Sequence, residues 1–194
     1  KGQKILVHGA GGAVGMAMLQ LGKLMDLEMY GTASGLKHDM IKAAGAIPID
    51  YKTTDFADYI KNHTEVGLDA VFDPIGGDNF RESFSILRKG GKLVAYGFYN
   101  VVMGYGGSIP MDFMKLQIWN ILPNRKSATF YSIGALRRKH PDWFREDLTA
   151  LFKMLGEKKI QPVIEQNLSL EKAAEAHKII EKRHNKGKII LQIN

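Results

Sequence analysis

The sequence predicts an α/β fold built on a doubly wound parallel sheet. Three features carry the prediction. Short apolar runs alternate with helical stretches, each unit taking about 20 to 25 residues. The runs are rich in Val, Ile, Leu and Ala at neighbouring positions, as strands covered on both faces require. A glycine cluster, "GAGGAVG", joins the first run to the first helical stretch. The expected sheet has roughly six strands in the order 3-2-1-4-5-6, wound by right-handed crossovers.

The elements follow in order. Ile5–His8 reads as the first strand and Val14–Met25 as the helix after it. Glu28–Thr32 is the second strand, followed by a helix over Lys37–Ala44. Ile47–Asp50 is the third, followed by a helix over Asp55–Asn62. Asp69–Asp73 and Asn79–Leu87 form the next strand and helix, and Lys92–Tyr96 is the fifth strand. Then the rhythm changes. "GFYNVVMGYGGSIP" is a Gly-rich loop, Met111–Leu122 is helical, and Lys126–Ser132 is a strand. Pro141–Glu157 is a long helix; Pro141 fits its first turn, where a backbone N–H has no intrahelical acceptor. "QPVIEQNLSL" is a strand that ends near Ser169, an N-cap. Leu170–Arg183 is helical, with Ala173, Ala174, His177, Ile179 and Ile180 towards one side. "KGKIILQIN" closes as a strand.

Composition removes several function classes. Of 194 residues, 45% are hydrophobic, enough for a core. No apolar run reaches the roughly 18 residues of a membrane span, and "KGQKILVHG" lacks the layout of a signal peptide. Cysteine is absent, which excludes disulfides, thiolate metal sites and cysteine nucleophiles. That fits a reducing compartment, and a cytoplasmic location is expected. The histidines (His8, His38, His63, His140, His177 and His184) contain no pair at the i, i+4 spacing of a helical zinc motif, so no metal site is expected. The net charge is +7, with basic clusters at "LRRKH" (136–140) and "EKRHNKGK" (181–188). Neither is interleaved with aromatics, so both read as solvated surface and nucleic acid is not an expected partner.

The glycine cluster sits where a dinucleotide fingerprint must sit, between a strand and a helix. Aligned as G-x-G-x-x-G, its positions are Ala10, Gly12 and Gly15, with Ala in the first place. Gly12 lets backbone approach a pyrophosphate, and Gly15 lets the helix press on the strand. Amides at the helix N-terminus then face the phosphates. Roughly 20 residues on, an NAD site places an acid against the ribose 2′-hydroxyl. This chain has "GTASGLKH" (31–38) there, with Ser34 and Lys37 and no carboxylate. A hydroxyl and an ammonium suit a 2′-phosphate, so NADPH is the expected cofactor. "FDPIGG" (72–77) and "YGFYN" (96–100) end the fourth and fifth strands, at the crevice where ligands bind in such sheets. Plain turn chemistry explains their glycines equally well.

The ordered set "VHGAGGAVGMAMLQLGK", "GTASGLKH", "GAIPIDYKTTDF", "DAVFDPIGG", "LRKGGKLVAYG" and "EAHKIIEKRHNKGKIIL" resembles the medium-chain dehydrogenases/reductases. The likeness covers essentially the whole chain. It is greatest to the zinc-free quinone oxidoreductase branch and, within that, to the vesicle amine transport protein 1-like group. Ala10 in the first glycine position is typical of this branch. The resemblance implies a Rossmann domain that binds NADPH and reduces a quinone, an enone or a related carbonyl compound. It implies that Ala13 and Val14 join Gly12 and Gly15 around the pyrophosphate. Ser34, Lys37 and Tyr51 would hold the 2′-phosphate end, and Phe98 and Tyr99 would lie near the nicotinamide ribose. Asn185 and Lys188 would close over the cofactor.

The resemblance also implies a division into a Rossmann domain (1–159) and a segment (160–194) that returns to a GroES-like catalytic domain. That catalytic domain precedes the first strand in family members and supplies most of the substrate pocket. The chain is therefore expected to be part of a longer protein, to form a homodimer, and to bind NADPH with negligible turnover by itself. No catalytic acid, base or nucleophile is assigned. Asp73 and Tyr99 are the polar groups nearest the crevice, and strand-end turn and cofactor packing account for them. The alternative function is a nucleotide-binding interaction or trafficking module without significant reductase turnover.

Overall fold

The computed structural model describes residues 1–181 and 187–193. The first part runs β1 (Lys4–Val7), α1 (Ala13–Leu24), β2 (Glu28–Ala33), α2 (His38–Ala43), β3 (Ala46–Asp50), α3 (Phe56–His63), β4 (Leu68–Asp73), α4 (Asp78–Ser85) and β5 (Leu87–Ala95). It continues with α5 (Tyr99–Val102), α6 (Ile109–Ile121), β6 (Ser127–Phe130), α7 (Ile133–Lys139), α8 (Pro141–Gly156), β7 (Ile164–Ser169), α9 (Ala173–Glu181) and β8 (Lys188–Gln192). Among the described residues, six strands form one sheet in the order β3-β2-β1-β4-β5-β6, and β7 pairs with β8 in a second. Every pairing is parallel. This is the doubly wound Rossmann-like topology expected from the sequence.

Side-chain alternation along the strands divides the core into two layers. Ile5 and Val7 of β1 pack on one face with Met16 and Leu19 of α1 and Ile41 of α2. Leu6, between them, packs on the other with Ile60 of α3, Phe80 and Phe84 of α4 and Leu116 of α6. Each fully buried aliphatic or aromatic side chain contributes about 1.5–3 kcal/mol relative to exposure. Local chemistry sets the helix starts. Asp55, expected inside α3, is instead its N-cap; Oδ1 accepts from the amides of Ala57 at 2.8 Å and Asp58 at 3.0 Å.

Four local expectations need correction. β5 begins at Leu87 rather than Lys92. The β4–β5 register shifts between Leu68 and Ala70, and Gly90 at φ 83° accommodates the irregularity inside the strand. The Gly-rich loop contains the short helix α5. "LRRKH" belongs largely to a helix of its own, α7, whose N-cap Ser132 accepts from the amide of Ala135 at 3.3 Å. The helix expected over Leu170–Arg183 divides into a 3₁₀ turn, Leu170–Lys172, and α9. Arg183 lies outside the described residues.

Two amide side chains act as backbone clamps. Asn120 of α6 donates to the carbonyl of Ala128 at 2.8 Å and accepts from its amide at 2.7 Å, satisfying the outer edge of β6. Gln20 of α1 donates to the carbonyl of Gln161 at 2.8 Å and accepts from its amide at 2.7 Å. The second clamp ties the segment leading into β7 to the helix that follows the glycine turn.

Candidate functional site

The site lies at the carboxyl ends of β1, β2 and β4, where the strand order reverses between β1 and β4. Gly9 is the left-handed residue of the glycine turn, with φ 64°. The turn role given to the first fingerprint position therefore falls to Gly9, one residue before Ala10. Thr32 holds two successive amides of that turn. Its Oγ1 accepts from Gly9 at 3.2 Å and its carbonyl from Ala10 at 2.9 Å. The amide of Gly12 returns to the carbonyl of Gly9 at 2.9 Å.

The glycines are steric requirements. A Cβ on Gly15 would stand 2.6 Å from both Ala10 Cα and Gly9 O, so α1 presses directly on the turn. A Cβ on Gly31 would stand 2.7 Å from the Cβ of Ala10. Ala10 is thus tolerated because β2 supplies the missing glycine opposite it. A Cβ on Gly11 would meet Lys37 Cδ at 2.5 Å. Gly9, Gly11, Gly31 and Thr32 were not assigned from sequence; only the φ requirement of a strand-to-helix turn could have indicated Gly9. Ala13 and Val14 open α1 on the exposed side, and Gly15 is buried beneath them. First-turn amides have no intrahelical acceptor and present partial positive charge to the crevice.

Lys37 bends back over this turn. Its Nζ donates to the carbonyl of Gly11 at 3.3 Å, and its amide closes on Ser34 O at 2.9 Å. Burial holds the ammonium below its usual range, while the Glu165 carboxylate of β7 works against that. Ser34 precedes the 3₁₀ turn Gly35–Lys37 and is half-buried. Tyr51 is 54% exposed, and its amide reaches Ala33 O at 3.4 Å. Parallel pairing sets Asp50 beside Ala33. Asp50 Oδ2 lies 3.0 Å from the position a Cβ on Gly35 would take, while Oδ1 accepts from the amide of Lys52 at 3.0 Å. The end of β2 thus carries no carboxylate of its own, but β3 and β7 bring Asp50 and Glu165 to the same neighbourhood. Their separation in sequence hid both.

On the β4 side, Asp73 is fully buried and surrounded by donors. Oδ1 accepts from the amides of Ile75 at 2.7 Å and Gly76 at 3.4 Å. Oδ2 accepts from Asn79 Nδ2 and Ser83 Oγ, each at 2.7 Å. Asp73 therefore organises the turn instead of offering a free acid. Phe98 sits in an aromatic cluster, 4.9 Å from the Phe130 ring and 5.3 Å from that of Phe113. Tyr99 begins α5, its amide on Pro74 O at 2.9 Å. Lys188 begins β8, and its amide reaches Val163 O at 2.7 Å. With Gly11, Gly12, Met16 and Val163 it lines a cavity of about 390 Å³ between the glycine turn and the β7–β8 unit. Asn185 lies outside the described residues. The structure thus gathers Ala10, Gly12, Ala13, Val14, Gly15, Ser34, Lys37 and Lys188 near one turn, with Phe98 and Tyr99 across the crevice.

A Cβ at Gly11, Gly15 or Gly31 would press on neighbouring protein atoms, so these glycines hold the turn, Lys37 and β2 close together beside the N-terminus of α1. Among the described residues, no group of three or more His, Cys, Asp and Glu gathers to hold a metal ion. Among them, too, no helix is long and apolar enough to cross a membrane.

Comparison with known proteins agrees with this geometry. The zinc-binding dehydrogenase family profile matches residues 43–191. The synaptic vesicle membrane protein VAT-1 homolog of Danio rerio is 32% identical over 200 residues, covering 97% of this chain and 40% of that protein. The crystal structure of human synaptic vesicle membrane protein VAT-1 homolog-like protein is 27% identical with a TM-score of 0.74, covering 100% of this chain and 54% of that one. A quinone oxidoreductase from Pseudomonas syringae pv. Tomato DC3000 is 27% identical with a TM-score of 0.79, covering 98% and 56%. The chain spans 40% to 50% of the length of the VAT-1 homologs of zebrafish and human. By sequence, topology and cradle geometry together, the chain belongs to the zinc-binding dehydrogenase family, within the medium-chain dehydrogenases/reductases.

Proposed function

We propose that this chain binds NADPH as the cofactor-holding part of an oxidoreductase acting on a quinone, an enone or a related carbonyl compound. The observation that carries the reading is the pairing of the glycine turn with Lys37, whose Nζ lies on Gly11 O at 3.3 Å. One ammonium stands beside both the pyrophosphate cradle and the end of β2, where Ser34 adds a hydroxyl. Lys37 would hold the 2′-phosphate, with Tyr51 flanking it, and the first-turn amides of α1 would hold the pyrophosphate. Bound NADPH supplies the hydride. The residues of this chain bind and orient; Gly76 and Gly97 let the ends of β4 and β5 pack closely, since a Cβ would meet Phe98 Cα at 3.3 Å and Pro74 O at 2.8 Å. The names of the quinone oxidoreductase neighbours support the substrate class.

Hydride transfer needs the substrate held against the nicotinamide at near-attack distance. In the family that the chain resembles, the wall opposite the nicotinamide belongs to the GroES-like domain, so the chain alone should bind NADPH with negligible turnover. Titration with NADPH and NADH, followed by NADPH consumption with a quinone or enone, tests both halves of the reading. Full turnover by these 194 residues would refute the placing of the substrate wall outside them.

The vesicle-protein names of the relatives favour a second reading, a nucleotide-binding interaction module. The full-length protein separates the two: NADPH binding without quinone-dependent consumption supports the module. Self-association belongs to the proposal as well. α6 leaves Ile118 and Ile121 exposed near the edge strand β6, and light scattering across concentration checks for a dimer.

A further inference from the structure

Beneath the glycine turn runs a buried chain of side chains that the cofactor contacts do not use. Thr32 Oγ1 lies 3.0 Å from His8 Nδ1, and His8 Nε2 lies 3.0 Å from Ser83 Oγ. Ser83 Oγ lies 2.7 Å from Asp73 Oδ2. All four residues are buried. Phe56 meets the His8 ring edge-on at 4.5 Å, so the imidazole is packed as well as bonded.

The direction of every bond follows from one end. A carboxylate has no hydrogen to give, so Ser83 donates to Asp73. Its single hydrogen is then spent, and Ser83 Oγ accepts from His8. Nε2 of His8 must therefore carry the proton. Burial, with Phe56 edge-on to the ring, favours the neutral imidazole, so Nδ1 is bare and accepts from Thr32. The Thr32 oxygen, its own hydrogen fixed on His8, turns a lone pair to the amide of Gly9 at 3.2 Å. The chain ends on the left-handed residue of the glycine turn.

We infer that His8 is a positioning residue for the dinucleotide cradle, held as the neutral Nε2–H tautomer by Ser83 and Asp73. It fixes the hydroxyl of Thr32, and that hydroxyl holds the amide of Gly9. The same relay joins that turn to the 73–77 turn across the crevice, because Asp73 Oδ1 holds Ile75 and Gly76. The two walls of the cradle share one buried hydrogen-bonded strut at the point where the strand order reverses. The role in cofactor binding rests on the function proposed above; the setting of the turn does not.

Imidazole nitrogen and backbone amide NMR test the strut in the unmutated chain and in Ser83→Ala, Thr32→Ser and Thr32→Val. The unmutated chain should show His8 with a protonated Nε2 and a bare Nδ1 at neutral pH. Ser83→Ala does not touch Gly9, yet should shift its amide resonance and weaken NADPH about fivefold, the worth of one buried hydrogen bond. Thr32→Ser should keep the His8 pattern, the Gly9 resonance and the affinity; Thr32→Val should leave the proton on Nε2, where Ser83 accepts it, but shift Gly9 and weaken NADPH about fivefold. An Nδ1–H tautomer or an imidazolium at neutral pH overturns the inference, and so does a Gly9 resonance that ignores Ser83→Ala. The spectrum of the unmutated chain decides the tautomer even where a variant fails to fold. A chain with the signature and the Ser83 effect intact but no affinity for NADPH removes the proposed function and leaves the positioning of the turn standing.

Discussion

α1 and α8 are both amphipathic helices, and they end up in opposite circumstances. α1 buries Gly15, Met16, Leu19 and Gly22 against the sheet. α8 is longer, at 16 residues, and none of them is buried. Trp143 is 56% exposed and Phe152 62%. The same contrast holds for the regions around them. After Tyr99, the buried side chains among the described residues are Asp112, Leu116, Ala128 and Ala176. An apolar stripe states that a face wants covering; it does not state what covers it. In the sheet region, strand alternation supplies the cover within the chain. Around α8 the described residues supply little beyond the walls of the cavity beside the glycine turn.

The largest expected effect separates those regions directly. Leu19→Ala, at a fully buried position, should cost about 2–5 kcal/mol in chemical denaturation. Phe152→Ala should stay within about 0.5 kcal/mol. Comparable losses would mean that α8 has a covering layer after all.

Next in size is the turn itself. Gly15→Ala drives a methyl into the backbone of Gly9 and Ala10 at 2.6 Å. Because backbone cannot swing aside, we expect a loss of about 1–3 kcal/mol from overpacking, with NADPH affinity falling alongside. An unchanged melting temperature would show that α1 stands off the strand.

The buried relay makes stability depend on pH. Burial pushes the imidazole of His8 below its ordinary 6.5, and the Asp73 carboxylate opposes that only in part. The unfolded chain then binds a proton at a higher pH than the folded one. The contribution is complete above 6.5 and is lost as pH falls below it, through the lowered folded value. Denaturation midpoints between pH 8 and 5 should fall more steeply for the parent than for His8→Gln; parallel curves would contradict the burial argument.

The smallest effect concerns the clamp to the second region. Gln20→Ala removes both bonds to Gln161 on an exposed surface. Each is worth about 0.5–1.5 kcal/mol at most, and the expected result is faster amide exchange at 161–169 with little change in global stability. Exchange that does not change would place the anchor of β7 elsewhere.

Much of the first region was legible because its signals are local. Alternating runs located the strands of the sheet, and the glycine cluster located the crevice. The strand order followed from right-handed crossovers. What escaped depends on partners far apart in sequence. Ala10 looks like a flaw in the fingerprint until β2 places Gly31 opposite it. His8 reads as the last residue of a strand, and only tertiary structure brings it to Ser83. "No acid at the end of β2" was correct for that strand but could not see Asp50 arrive through β3 or Glu165 through β7. α7 was missed because a basic cluster announces solvent exposure, not conformation.

The central claim is that Lys37 and the glycine turn together form an NADPH cradle, and the most direct measurement is the affinity of the chain for NADPH and NADH before and after Lys37→Ala. Losing a charge-assisted contact costs about 1.5–3 kcal/mol. The account predicts that NADPH binds more tightly than NADH in the parent. The substitution should weaken NADPH by roughly tenfold or more and leave NADH nearly unchanged. Equal affinities in the parent, or equal losses for both nucleotides, would contradict it.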